Sequence, residues 1–64
     1  MSYEEIGKQI QQARIDKQLT LAEVARRVGC DRIQLSALEK GKRKNVDYLE
    51  MKQIRRVLDI KEDA

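Results

Sequence analysis

Four times along this chain a helix-capping residue is followed, three positions on, by Glu or Gln: Ser2 and Glu5, Thr20 and Glu23, Asp31 and Gln34, Asp47 and Glu50. In such a box the first side chain accepts a backbone N–H that a helix start leaves unpaired, and the second reaches back to the cap's own N–H. Each copy is bracketed by apolar residues spaced as a hydrophobic staple: Met1 with Ile6, Leu19 with Val24, Cys30 with Leu35, Val46 with Met51. Each also opens a stretch of apolar residues at helical spacing. One match is weak, but four that do not overlap specify four helix starts.

The stops agree with the starts. Gly29 and Gly41 sit where a left-handed residue ends the second and third helices. The pattern predicts helices from Tyr3 to about Lys17, Leu21–Val28, Arg32–Lys40 and Tyr48–Leu58. Their inward faces are Ile6, Ile10 and Ala13; Val24, Ala25 and Val28; Leu35 and Leu38; and Tyr48, Met51, Ile54 and Leu58, with Leu19 and Cys30 at the joints. Gly7 falls inside the first helix, where it costs about 1 kcal/mol relative to Ala. A close helix crossing at this position would explain it.

The expected fold is all-α, a single compact domain over residues 1–64 built on four to five helices. With 64 residues, no Trp, Phe or Pro and only two Tyr, there is little for a β-rich core. No His and one Cys exclude a Cys/His zinc site, an intrachain disulfide and a His-based triad. The chain is therefore read as a binding module, not an enzyme, with no metal and no cofactor. No apolar run approaches the roughly 20 residues of a membrane span, and no signal-peptide pattern opens the chain. The expected setting is the cytoplasm of a bacterium, with a phage gene as the other source. Cys30 is expected as a small buried apolar group; a redox switch is the alternative and has no partner Cys.

Charge is unevenly placed. Of the net +3, the segment from Arg26 to Lys44 carries seven basic residues against Asp31 and Glu39, while the rest of the chain is net acidic. A basic middle is an electrostatic footprint for a polyanion such as nucleic acid, or else a solvated helix face with a basic loop.

Only Gly29-Cys30-Asp31 joins the second and third helices, a link short enough for a helix-turn-helix over about residues 20–41. The stretch LTLAEVARRVGCDRIQLSALEKGKRK resembles the phage repressor and Cro family, also called the xenobiotic-response-element family. Thr20, Val24, Ala25, Val28 and Gly29 match its pattern, as do Ser36, Leu38, Glu39 and Gly41. Ile6, Gly7, Ile10 and Arg14 match upstream, so the resemblance covers about residues 6–60. Arg14 lies four residues after Ile10 and Glu39 four after Leu35, both on inward stripes. An unpaired buried charge is costly, so the two should pair; the resemblance implies the same structural ion pair.

The resemblance also implies function: sequence-specific binding of double-stranded DNA by a transcriptional regulator, a repressor acting as a homodimer on a pseudo-palindromic operator. The first turn of the third helix, and one residue a turn further on, would reach base edges in the major groove. Those positions are Arg32, Ile33 and Ala37, with Gln34 and Ser36 nearby. Arg32 suits guanine O6/N7, or else a phosphate. Ile33 and Ala37 offer only apolar contact, best matched by a thymine methyl, although for Ile33 a protein partner or a corner of the core also fits. Gln34 is either a base reader for adenine or a capping residue. Lys40, Lys42, Arg43 and Lys44 are the expected phosphate contacts, with the N-termini of helices two and three.

Three positions depart from the family. Leu21 stands where Gln often grips a phosphate, Arg55 where many relatives carry Ala, and Asp59 where Gly usually ends the fourth helix. A different function is also open. LSALEKGKRKNV followed by an amphipathic helix resembles antitoxins of persistence-type kinases, which bind a toxin and repress their own operon.

Overall fold

The computed structural model describes residues 2–43 and 45–61, and it contains four helices: α1 (Tyr3–Asp16), α2 (Leu21–Val28), α3 (Arg32–Glu39) and α4 (Tyr48–Leu58). α1 and α3 each end one residue before the expected position, with Lys17 and Lys40 as C-caps. The end of α1 carries no glycine signal. Gln18 takes the left-handed conformation there (φ 58°), and the Leu19 N–H donates to the Arg14 carbonyl. Asp59 does the same after α4 (φ 60°), so this residue keeps the turn shape that a glycine adopts without steric cost.

The four boxes divide into two kinds. Ser2 accepts from the Glu5 N–H, and Thr20 with Glu23 forms the full reciprocal box. Asp31 and Asp47 instead accept from the second helical N–H, those of Ile33 and Leu49. A short Asp side chain closes an Asx-type turn two residues on, so the cap is made without help from position three. Gln34 and Glu50 are thereby released for other contacts. Met1 of the first expected staple lies outside the described residues.

The core is Ile10, Val24, Ala25, Leu35, Leu38, Ile54 and Leu58, with Ile6, Leu19, Cys30, Val46 and Met51 packed around it. Tyr48 does not join it and is 69% exposed. At about 100° per residue it lies roughly 120° around α4 from Ile54, off the stripe that Met51, Ile54 and Leu58 share. α1 packs on α3 and α4, and α2 on α3 and α4.

Two contacts fix α3 against α1. Gly7 is buried where the helices cross, with its Cα side facing the Leu38 and Glu39 carbonyls. At the same end Glu39, 5% exposed, receives the Arg14 Nε at 2.7 Å and Nη2 at 3.2 Å. Arg14 Nη1 also donates to the Leu19 carbonyl at 2.9 Å, which ties in the α1–α2 link. Among the described residues no buried side-chain nitrogen or oxygen lacks a partner.

Candidate nucleic-acid interface

α3 has one buried stripe, and that stripe decides what faces out. Leu35, Leu38 and Glu39 point into the domain. Ile33, Ser36, Ala37 and Lys40 therefore form the opposite arc, with Arg32 on one flank and Gln34 on the other. The helix is held at its start by the Asp31 cap and, through Glu39, at its end by Arg14. Both ends are thus fixed without using an outward side chain.

The outward arc opens onto a shallow concavity of about 400 Å³. Leu21, Ile33 and Ala37 supply its apolar lining, and Arg32, Ser36, Lys40 and Lys42 its polar lining. Ile33 is 72% exposed, so it is not a corner of the core. Four of the five expected base readers are thus brought together. Leu21, expected only as a departure where Gln often grips a phosphate, joins them. The signal was its position at the first residue of α2, beside α3 in a tight helix-turn-helix.

Gln34 is not brought to this face. It lines a second groove, of about 290 Å³, with Val28, Cys30, Leu49 and Gln53. Two residues on a helix differ by about 200°, so Arg32 and Gln34 leave opposite flanks of α3. Gln34 also takes no part in the cap, because Asp31 bonds Ile33. Neither of the two roles expected for it matches its position.

Arg43 is also placed differently from the expected free phosphate contact. Its Nη1 and Nη2 donate to the two Glu50 carboxylate oxygens at 2.5 and 2.8 Å, both side chains being mostly buried. The planar guanidinium matches the carboxylate with two parallel bonds, so Arg43 anchors the α3–α4 loop to α4. Lys40 and Lys42 remain exposed at the edge of the concavity. Lys44 lies outside the described residues. Cys30 is half-buried, and burial, followed by the Glu50 charge, pushes its thiol pKa up.

Hydrogen bonds from Arg43 hold the Glu50 carboxyl below the usual glutamate range, against the opposing effect of burial. A carboxyl whose pKa is lower folded than unfolded adds stability above its unfolded pKa and loses it as pH falls through the folded one. The stability gap between parent and Glu50→Gln should therefore be full at neutral pH. It should shrink below about pH 4, the ordinary glutamate value, and close as Glu50 itself protonates. Thermal melts of the two proteins across that range measure it; a gap independent of pH would mean that Glu50 acts only by shape.

Among the described residues no group of three or more His, Cys, Asp or Glu side chains is placed to hold a metal ion. None of the helices is long and apolar enough to cross a membrane. A family model described as a helix-turn-helix domain matches residues 7–64. The chain belongs to that family. It is a DNA-binding helix-turn-helix domain of the repressor and Cro, or xenobiotic-response-element, class, in agreement with its all-α architecture. No curated protein matches it. Among solved structures the domain is similar to a chain of the SinR protein/SinI protein complex, with 31% identity and a TM-score of 0.79. The match covers 86% of this helix-turn-helix chain and 53% of that one, so the domain spans about half that chain's length.

Proposed function

We propose that this helix-turn-helix domain is the DNA-reading part of a transcriptional repressor, with α3 seated in the major groove. The observation that supports the reading most is the outward face of α3, where an apolar floor is edged by Arg32, Lys40 and Lys42. Lys40 and Lys42 suit phosphates, and Arg32 with the arc beside it suits base edges. Binding as a two-fold homodimer would set two copies of α3 about one helical turn apart, on a pseudo-palindromic operator.

Arg32→Ala and the double variant Lys40→Ala/Lys42→Ala separate the two kinds of contact. The first should lose about 1–3 kcal/mol on the best site and relax preference at one base pair per half-site. The second should weaken all sequences alike and flatten the salt dependence by up to roughly one unit of slope per lost contact. Binding titrations on the best site and its single-base variants, at several salt concentrations, read both. Equal losses on every sequence for both variants would leave α3 without a reading role.

A protein-binding role is the second reading, as an antitoxin that also represses its own operon. Leu49 favours it, being 65% exposed and lining the groove that holds Gln34 and Gln53, and so does its neighbour in sequence Tyr48, 69% exposed. SinR, the similar protein, is known in complex with SinI. A stable complex with the product of a neighbouring gene, joined to weak DNA binding by the domain alone, would put this role first.

A further inference from the structure

Leu21 has no polar atom with which to hold a phosphate, yet it is not buried out of reach. It stands half-exposed at the start of α2 and shares one concavity with Ile33 and Ala37. Arg32, Lys40 and Lys42 line the same concavity, so its occupant has to be apolar where it meets the floor and anionic around it. Duplex DNA meets both conditions at one place. Between the phosphate strands of the major groove, the C5-methyl of thymine is the apolar group on the base edges.

We infer that Leu21, Ile33 and Ala37 together form a socket for thymine methyl groups, making Leu21 a specificity-determining residue of the interface. The inference rests on the DNA reading above and adds to it the chemical group that α2 helps to recognise. The three side chains come from two helices whose relative placement is fixed by the short Gly29-Cys30-Asp31 link and the shared core. The socket is therefore formed before DNA arrives. Arg32 at its edge remains available for a neighbouring guanine.

Uracil provides the probe, since it pairs as thymine does and lacks only the methyl. Duplexes enriched from a random-sequence pool by the parent protein are remade with deoxyuridine replacing one thymine at a time. Burial of one methyl is worth about 0.8 kcal/mol, so at least one replacement per half-site should weaken parent binding about fourfold. Exchanging that T·A pair for C·G should also weaken binding, and 5-methylcytosine in place of the new cytosine should partly restore it. In Leu21→Ala and in Leu21→Gln the preference for thymine over uracil should fall toward one, whereas Gln9→Ala, on the exposed face of α1, keeps it. Thermal melts of each variant check folding, and the parent's response to uracil needs no variant at all. If sequences are enriched but no thymine matters, or if its effect persists undiminished in both Leu21 variants, the socket is wrong and the apolar floor has another occupant. If no sequence is enriched, the DNA reading fails and the inference with it.

Discussion

A Gly7→Ala variant is expected to lose about 2 kcal/mol of stability, although alanine is the better helix former. An added Cβ would lie 2.4 Å from the Leu38 carbonyl oxygen and 2.5 Å from that of Glu39. These are backbone atoms in the last turn of α3, and the Leu38 carbonyl is also held by the Gly41 N–H. Relief requires α1 and α3 to move apart, which also stretches Arg14 away from Glu39. Overpacking costs about 1–3 kcal/mol and occasionally more; rigid backbone puts this site at the upper end. The helix propensity of alanine returns about 1 kcal/mol. A domain of this length has roughly 3–10 kcal/mol in total, so the loss is a large share of it. Urea unfolding measures the effect, with Lys8→Ala on the exposed face as a control expected to stay within about 0.5 kcal/mol. A gain in stability for Gly7→Ala would mean that the helices do not approach so closely.

Glu39→Ala should be at least as damaging, by about 3 kcal/mol or more. Glu39 is almost fully buried and Arg14 mostly so, with side-chain exposures of 3% and 14%. Removing the carboxylate leaves the guanidinium with the Leu19 carbonyl as its one remaining bond of the three. Glu39→Gln keeps an acceptor without the charge and should fall between. The cost lies in the stranded charge and not in the loss of a bond. Replacing Arg14 and Glu39 together by Met should therefore recover most of the stability. Denaturant midpoints of the four proteins check this, and a loss under about 0.5 kcal/mol for Glu39→Ala, the size of an inert surface change, would contradict it. The pair also holds the end of α3, so its loss should loosen the recognition face before the rest of the domain.

The helix starts were legible because each depends on residues within one turn of each other. Thr20 and Glu23, or Leu35 and Leu38 on one stripe, carry their meaning locally. The Arg14–Glu39 pair was legible because both charges fall on inward stripes, where burial leaves them little choice. What could not be read depends on distance. Arg43 and Glu50 are seven residues apart across a loop, and each had a plausible local role, phosphate contact and cap, that their mutual bond displaces. Gln34 looked like a member of the reading face because it adjoins Ile33 in sequence, although adjacent helical residues diverge by about 100°. Tyr48 matched an apolar spacing but lies off the stripe. The contribution of Leu21 depends on where α2 sits beside α3, which spacing along either helix does not encode. The left-handed Gln18 carries no glycine signal, and α1 ends one residue before the expected position, whereas the end of α4 at Leu58 was legible from its apolar spacing.

The central claim is that the outward arc of α3, with the start of α2, is the surface that meets DNA. Backbone amide shifts of the isotopically labelled domain, followed during titration with a duplex enriched from a random pool, test it residue by residue. The largest changes should fall at Leu21, Arg32, Ile33, Ala37, Lys40 and Lys42, with smaller ones at Gln34, Leu49 and Gln53. The reverse pattern, with the largest changes along the groove of Gln34, Leu49 and Gln53 and little at Ile33 and Ala37, would contradict the account.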